Sequence, residues 1–173
     1  MVTPYLNILT NKECKEIIYN CQDILKPTLV LSSKGEIPHP DRTAEGIFIY
    51  ENPPVIQKIK DIVSQITNLP IENQTPPHVV RYKMGGEYKE HVDYLDVERG
   101  KNRKHSCLFY LNEDMEGGGT YFSKLKLNIN PTTGTLIKWD NLYSDGSPNP
   151  NSTHAGMPVI KGEKWILVIW IHE

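Results

Sequence analysis

The run KWILVIWI, residues 164–171, decides the fold, because it is almost continuously apolar after its first residue. A run of this length and composition is typical of a strand that is buried on both faces in the middle of a sheet. Side chains two residues apart point to the same side of a strand, so Lys164 and Ile166 share one face. We therefore predict a core strand here, with Trp170 and His172 at alternate positions as candidates for facing a cavity.

Shorter β segments, separated by glycine, asparagine and proline, precede this strand. The pattern predicts strands near residues 46–50, 78–83, 87–93, 105–111, 119–122 and 134–139, with turns at 37–42, 84–86, 116–118, 130–133 and 146–151. Several short strands at such spacing indicate a sandwich or a barrel.

Two helices are predicted in the N-terminal part of the chain. Thr10, followed three residues later by Glu13, is a capping box, and apolar residues recur behind it at helical spacing. A first helix should therefore run from about residue 11 to 24. The two prolines at 53–54 suit a helix start, and the apolar stripe behind them predicts a second helix that ends before Pro70.

The composition limits what the chain can do. Its 173 residues are 38% apolar and 23% charged, which is ordinary for one globular domain. We expect a single domain over 1–173, with helical support over about residues 1–70 and a β core over about residues 77–173. The formal net charge of -2 and the pI near 6.3 give no basic surplus, so no nucleic-acid partner is expected.

The cysteines and the N-terminus bear on the compartment. An odd number of cysteines without a C-x-x-C pair argues against a disulfide framework and a structural zinc site; they are Cys14, Cys21 and Cys107. The first eight residues lack a basic region followed by an apolar run, and no window has the length of a membrane span. We expect a cytoplasmic protein without a membrane partner. The sequence does not define an oligomeric state.

His91 and Asp93 form an H-x-D pair, and His154 lies far downstream. Residues two apart in a strand face the same side, so both members of the pair can reach one ion. Two imidazoles and one carboxylate are the facial ligand set of non-haem Fe(II) oxygenases. We predict that these three residues are the metal ligands and the catalytic centre, with His154 contributed by a strand across the barrel. A solvated strand edge is the alternative for an isolated H-x-D pair.

Other histidines are weaker candidates. His39, Pro40 and Asp41 form a second H-x-D, but the proline places it in a loop, where rigid ligand geometry is harder to hold. His78 and His105 lie in strand-like runs without a carboxylate at the matching offset. We do not assign these residues to the metal site.

Lys164 adds a cation to the predicted site. A lysine that faces inward needs an anion, and the far carboxylate of a dicarboxylate co-substrate could be that anion. The alternative is an ordinary charged turn over residues 161–164.

An ordered series of motifs carries a resemblance to a known family. The motifs are Arg81-Tyr82, GGEYKEHVDY at 85–94, Tyr110-Leu111-Asn112, GGGTYF at 117–122, STHAGMPV at 152–159, GEKW at 162–165 and WIH at 170–172. Over roughly residues 40–173 this series resembles the catalytic domain of the prolyl 4-hydroxylases, which are Fe(II)- and 2-oxoglutarate-dependent dioxygenases. The resemblance implies a mainly β fold with flanking helices, namely a double-stranded β-helix or jelly roll.

The resemblance also implies roles for single residues. The iron ligands match His91, Asp93 and His154, and Lys164 matches the residue that pairs with the C5 carboxylate of 2-oxoglutarate. Hydroxyl groups that bind the same co-substrate match Thr120 and Tyr82, and Tyr110 stands where related hydroxylases use a tyrosine. The positions that match the peptide groove are Arg42, Tyr88, Arg103, Trp170 and His172, although such side chains at a rim can also simply pack or face solvent. Two positions depart from the family pattern: Gly119 replaces a glutamate, and Ala44 replaces a common serine.

The implied activity is hydroxylation of a peptidyl proline at C4, as in procollagen-proline 4-dioxygenases, with O2 consumed and succinate and CO2 released. The implied cofactors are Fe(II), 2-oxoglutarate and O2, and ascorbate is a further candidate. The implied partner is a proline-containing peptide or protein. Two alternatives stay open: a dioxygenase of the same fold that acts on another side chain or a small molecule, and a non-catalytic jelly-roll binding module.

Overall fold

The computed structural model describes residues 1–28, 41–95 and 102–173, and the backbone alone of 30–32 and 35–37. Two α-helices lie in this part, α1 (Asn11–Cys21) and α2 (Pro54–Thr67). The strands are β1 (Val2–Tyr5), β2 (Lys26–Pro27), β3 (Val30–Ser32), β4 (Gly35–Ile37), β5 (Glu45–Phe48), β6 (His78–Tyr82), β7 (Tyr88–His91), β8 (Arg103–Tyr110), β9 (Glu116–Gly117), β10 (Thr120–Phe122), β11 (Leu127–Ile129), β12 (Leu136–Asp140), β13 (His154–Gly156), β14 (Val159–Lys161) and β15 (Lys164–His172). Short 3-10 turns occur at Ile71–Asn73 and Pro150–Ser152.

Both helices begin where the sequence predicts. The Thr10 side chain accepts a hydrogen bond from the Glu13 amide, and the Glu13 carboxylate accepts one from the Thr10 amide, which completes the capping box. Helix α1 ends at Cys21, three residues before the predicted end, and a turn follows. Helix α2 begins with Pro54 and ends where Asn68 adopts a left-handed conformation.

Strand β15 is the centre of a seven-stranded sheet with the order β1-β12-β8-β15-β6-β5-β2. It pairs antiparallel with β8 on one side and with β6 on the other. A four-stranded sheet, β11-β10-β13-β7, contributes Phe122 to a buried cluster shared with the large sheet. The mainly β jelly roll with flanking helices is thus confirmed.

The two faces of β15 pack against different layers. Trp165, Leu167, Ile169 and Ile171 belong to an apolar cluster with α1 and α2. Ile166, Val168 and Trp170 belong to the cluster between the sheets. The strand is buried from Lys164 to Ile171, as predicted for a strand covered on both faces.

The structure adds strands that the sequence pattern does not reveal. Strand β1 pairs with β12 along the edge of the large sheet, and Glu116–Gly117, predicted as part of a turn, pairs with β14. Strand β13 follows the predicted turn at 146–151 without a pattern of its own. These strands are two to four residues long, so pairing partners rather than internal periodicity define them.

The structure also bears on the cysteines, on membrane spans and on the second H-x-D pair. The three cysteines are free and buried. Within the described ranges, no helix combines the length and hydrophobicity needed to cross a membrane. His39 and Pro40 of the second H-x-D lie outside the described residues.

Candidate metal and co-substrate site

Two neighbouring strands of the small sheet hold the predicted metal ligands. His91 is the last residue of β7, Asp93 follows two residues later, and His154 is the first residue of β13. The backbones of His154 and His91 lie directly opposite each other in the antiparallel pair. His154 therefore reaches the site from the adjacent strand, whereas the sequence predicted a strand across the barrel.

The three side chains converge on one point. Each offers one ligand atom, and these atoms lie within 4.8 Å of one another. His91 Nε2 is 3.6 Å from Asp93 Oδ1, and His154 Nε2 is 3.9 Å from Asp93 Oδ2. The two imidazole ring centroids are 4.2 Å apart. Asp93 and His154 are buried, and His91 is half-buried.

Backbone carbonyls fix both imidazole orientations. His91 Nδ1 lies 2.7 Å from the Lys89 carbonyl oxygen, and His154 Nδ1 lies 2.8 Å from the Ser152 carbonyl oxygen. A carbonyl only accepts, so each Nδ1 carries the proton and donates it. Both Nε2 lone pairs are then available to a metal, which is the arrangement that oriented histidine ligands usually have.

The protonation states also suit a cation. Burial, together with nearby His154, lowers the pKa of His91 to about 3, so its imidazole is neutral near pH 7. Burial alone would raise the pKa of Asp93, but His154, His91, Arg103 and the Ser106 hydroxyl together lower it. The donor set of two imidazoles and one carboxylate fits Fe(II) with part of its coordination sphere open.

A register irregularity in β7 shapes the floor of the site. His154 opposes His91 and Gly156 opposes Tyr88, so β7 holds one more residue than β13 between the paired positions. In a regular strand Tyr88 and His91, three apart, would face opposite sides. Instead their rings stack with centroids 3.6 Å apart. Such irregularities are common next to active sites, where they redirect a side chain.

Residues outside the predicted set support the ligands. Ser106 Oγ donates to Asp93 Oδ2 at 2.6 Å, and Asn141 Nδ2 donates to Ser106 Oγ at 2.8 Å. Trp139 packs edge-on against His154, with ring centroids 4.7 Å apart. Alternation along β8 places Ser106 on the same face as Leu108 and Tyr110. This pattern was the one feature of the sequence that could have indicated that Ser106 faces the site.

Lys164 enters the same cavity from β15. Its side chain is 2% exposed, and burial lowers its pKa to about 7. Among the described residues it makes no ion pair; its Nζ lies 5.4 Å from the centroid of the Tyr82 ring and 5.8 Å from that of Tyr110. Gly118, at φ +69°, packs against it, since a Cβ there would be 3.2 Å from Lys164 Cδ. A buried ammonium without a carboxylate is costly unless a ligand supplies the anion.

The predicted hydroxyl groups lie in two positions relative to the cavity. Tyr82 and Thr120 line it together with Lys164. Tyr110 is fully buried beside them, and its hydroxyl donates to Thr120 Oγ1 at 2.7 Å. Tyr110 therefore reaches the cavity through Thr120.

Some of the residues matched to a peptide groove line the cavity, and others lie outside it. Arg42, Tyr88 and Trp170 line the cavity. Arg103 lies behind Trp170, with its guanidinium carbon 4.0 Å from the centroid of the Trp170 ring. His172 ends β15 and is not among the lining residues.

The two histidines that the sequence analysis set aside have other surroundings. The His78 ring stacks on Phe48 with centroids 4.1 Å apart, and burial, then Arg42 and Arg103, lower its pKa to about 3. His105 Nδ1 lies 2.8 Å from Asp140 Oδ1.

Cavity size would not have located this site. The cavity around the predicted ligands measures about 40 Å³, whereas an open cavity of about 800 Å³ shares no lining residue with it. The larger cavity includes Gly119, one of the departures from the family pattern, where an added Cβ would meet the Asn128 side chain. The chemistry of the lining residues distinguishes the small cavity.

Comparison with known proteins agrees with this chemistry. The sequence model of the 2OG-Fe(II) oxygenase superfamily matches residues 77–172. Prolyl 4-hydroxylase subunit alpha-1 of Caenorhabditis elegans is 35% identical over 127 residues, 69% of this chain, and the match spans only 23% of that protein. A putative prolyl 4-hydroxylase of Acanthamoeba polyphaga mimivirus is 32% identical over 177 residues, which cover 96% of this chain and 72% of that protein.

The fold agrees as well. The crystal structure of the viral collagen prolyl hydroxylase from Paramecium Bursaria Chlorella virus-1, in complex with 2OG, superposes with a TM-score of 0.82 at 27% identity, covering 99% of this chain and 95% of that chain. The superfamily's description names the metal and the co-substrate that the sequence analysis expected. The chain therefore belongs to the 2OG-Fe(II) oxygenase superfamily, and within it to the prolyl 4-hydroxylase family.

Proposed function

We propose that this protein is an Fe(II)- and 2-oxoglutarate-dependent dioxygenase that hydroxylates a peptidyl proline at C4, consuming O2 and releasing succinate and CO2. His91, Asp93 and His154 would hold the iron. One observation carries the proposal: the three ligand atoms lie within 4.8 Å of one another in a cavity that also contains a buried lysine with no carboxylate partner among the described residues. The viral structural relative in complex with 2OG supports the co-substrate assignment.

Lys164 would bind the far carboxylate of 2-oxoglutarate. Its ammonium lies in a low-dielectric cavity, where pairing with an anion restores the interaction that burial removes. Lysine is a point charge on a flexible stem, so hydroxyl groups are needed to orient a bound carboxylate. Tyr82 and Thr120 line the cavity beside it, and the Tyr110 hydroxyl fixes Thr120 by donating to it.

The protein's own contribution is position and electrostatics. Iron and 2-oxoglutarate, when bound, supply the oxidising chemistry. The two Nδ1 protons, held by backbone carbonyls, keep both histidines in the tautomer that presents Nε2. The apolar side chains of Ile166, Val168 and Trp170 line the cavity and exclude water from it.

A peptide would approach over the rim formed by Arg42, Tyr88 and Trp170, with Arg103 packed behind the Trp170 ring. Within the described part of the chain, three buried donors have no hydrogen-bond partner, namely Arg42 Nε, Arg103 Nε and Trp170 Nε1. Buried donors of this kind usually find an acceptor, and the carbonyl oxygens of a bound peptide would supply it. Another structural relative, a prolyl hydroxylase from Trichoplax adhaerens, was solved with a peptide fragment. His172 stays a predicted contact at the end of β15.

The proposal includes a reducing compartment. Three buried free thiols suit the cytoplasm, where disulfides are rare. Ascorbate stays a predicted cofactor, and omitting it from the assay measures its role.

The test is mass spectrometry of a proline-rich peptide incubated with the protein. We expect one added oxygen on proline that requires Fe(II), 2-oxoglutarate and O2, and that the Lys164→Met variant fails to add. Lys161→Met removes an exposed lysine from β14 and is the matched control. Oxygen added to another residue type would favour the alternative dioxygenase. Failure to release succinate with any peptide pool would favour a binding module and reject the proposal.

A further inference from the structure

We infer that Ser106, held by Asn141, is a positioning residue that restricts Asp93 to coordinating the metal through one oxygen. The inference rests on the proposed function, because it takes Asp93 as a metal ligand. It assigns a role to two side chains that are not among the residues lining the cavity.

Hydrogen bonding treats the two oxygens of the Asp93 carboxylate differently. Oδ2 accepts the Ser106 hydroxyl at 2.6 Å, a short distance typical of a hydroxyl donating to a charged carboxylate. Oδ1 lies 3.6 Å from His91 Nε2, and Oδ2 lies 3.9 Å from His154 Nε2, so both oxygens border the ligand cluster. The Ser106 side chain is 0% exposed and Asp93 is 6% exposed, so water does not compete for this contact. Among the described residues only Oδ2 accepts a side-chain hydrogen bond, which uses one of its two lone pairs and makes it the weaker metal ligand of the two oxygens.

Asn141 fixes the direction of the hydroxyl proton. Its Nδ2 donates to Ser106 Oγ at 2.8 Å. A serine hydroxyl has one proton, and with an N–H already donating to its oxygen that proton is free to point at Asp93. Asn141 is itself buried, and its backbone is bonded on both sides, to the Lys104 carbonyl at 2.8 Å and from the Asn149 amide at 2.9 Å.

The backbone of Ser106 cannot move to follow the carboxylate. Ser106 lies in β8 between two strands, opposite Trp139 in β12 and opposite Trp170 in β15. Both neighbours are large and buried. The hydroxyl is therefore a rigid reference point, as an oriented ligand requires.

The consequence concerns open coordination positions. A carboxylate can bind a metal with one oxygen or with two. A second bound oxygen would fill a position that a facial three-ligand site keeps for co-substrate and O2. The hydrogen bond to Oδ2 opposes binding of this oxygen to the metal. Ser106 would therefore keep open the coordination positions that co-substrate and O2 need.

The decisive experiment loads the full chain with Mn(II), without co-substrate, and measures the water-proton relaxation that reports exchangeable water on the metal. In Ser106→Ala we expect fewer exchangeable waters than in wild type and an Mn(II) affinity weakened roughly 10- to 100-fold, the range for lost outer contacts. Ser106→Thr keeps a hydroxyl and should restore both quantities. Ser64→Ala removes a hydroxyl bonded to the Leu69 carbonyl, away from the cavity, and is the matched control.

Asn141→Ala gives a second, independent variant. It should change the relaxation in the same direction as Ser106→Ala but less, and it should add nothing in the Ser106→Ala background, because it acts through the hydroxyl. Wild-type relaxation in Ser106→Ala, or additive effects of the two substitutions, would overturn the inference while leaving the proposed function intact. Wild-type protein that binds no Mn(II) would overturn both.

Discussion

The two faces of β15 are built from the same nine residues but have opposite tasks. Trp165, Leu167, Ile169 and Ile171 face the helices and are entirely apolar. The other face begins with Lys164 and continues with apolar residues that line the metal and co-substrate cavity. One face therefore contributes burial and packing, whereas the other keeps a desolvated cation and an open space.

Because side chains alternate along β15, the residues that stabilise the fold and those that form the site lie on opposite faces of one strand. A substitution on the helix face should lower the free energy of unfolding and leave the site alone. A substitution on the cavity face should change ligand binding, and at Lys164 it should raise stability.

The largest effect is expected for His154→Ala, on the small sheet across the cavity from β15. Removing one of three proposed ligands should reduce iron-dependent succinate formation to the background rate, because the remaining two side chains hold the metal weakly. A coupled succinate assay measures the change. His105→Ala, on the other face of β8, is the control, and near-normal turnover by His154→Ala would contradict the ligand assignment.

Lys164→Met should raise the 2-oxoglutarate requirement on the order of 100-fold or more, since removing one partner of a buried charge pair costs several kcal/mol. In the protein without co-substrate the same change should increase the free energy of unfolding, because a buried cation is replaced by an apolar side chain of similar length. Titration calorimetry with 2-oxoglutarate and urea unfolding measure the two effects. A less stable variant would mean that Lys164 already has an anionic partner.

The pH dependence of that stability difference follows from the lowered pKa. Below about pH 7 Lys164 is charged in both folded and unfolded chains, so the cost of burying it is complete. Between about 7 and 10.5 only the unfolded chain holds the proton, and the free energy of unfolding rises with pH. The advantage of Lys164→Met should therefore shrink over this window in urea titrations. A constant advantage would show that the lysine is not desolvated.

Two isoleucines allow a matched comparison of the faces. Ile169, on the helix face, is 0% exposed, and Ile166, on the cavity face, is 4% exposed. Ile169→Ala should cost about 2–5 kcal/mol of stability and leave 2-oxoglutarate binding unchanged. Ile166→Ala should cost less, because the lost volume joins an existing cavity, but it should weaken 2-oxoglutarate binding. Equal effects on both quantities would contradict the separation of the faces.

The smallest effect is expected at the N-terminus of α1, which covers the helix face. Thr10→Ala removes the side chain that caps the Glu13 amide and should cost about 1 kcal/mol. Thr10→Ser keeps the cap and should stay close to wild type. Urea unfolding measures both, and a change in co-substrate affinity would show that the helix layer communicates with the cavity.

Sequence patterns predicted the parts of the fold that carry their own signal. The apolar run of β15, the capping box at Thr10 and the proline start of α2 are local features, and the structure contains all three. The same reasoning selected His91, Asp93 and His154, which the structure brings together. Their role as iron ligands stays a prediction.

Features that depend on strand pairing and on contacts between distant residues could not be predicted from the sequence. The position of His154 beside His91 follows from a three-residue strand that has no pattern of its own. Ser106 looks like any small residue in a core strand until Asp93 and Asn141 are placed beside it. The hydrogen bond from the Tyr110 hydroxyl to Thr120 likewise depends on two strands that only the fold brings together, and a co-substrate contact by Tyr110 stays a prediction.

The extra residue between Tyr88 and His91 has a consequence for how this protein can change. Deleting Lys89 or Glu90 would restore even pairing between β7 and β13 and would keep Tyr88 and His91 on one face, but it would displace the Lys89 carbonyl that orients His91 Nδ1. Regular strand pairing at this position would therefore orient the His91 imidazole less well for metal binding. Variants selected only for thermal stability should therefore lose the extra residue of β7, and variants selected for turnover should keep it.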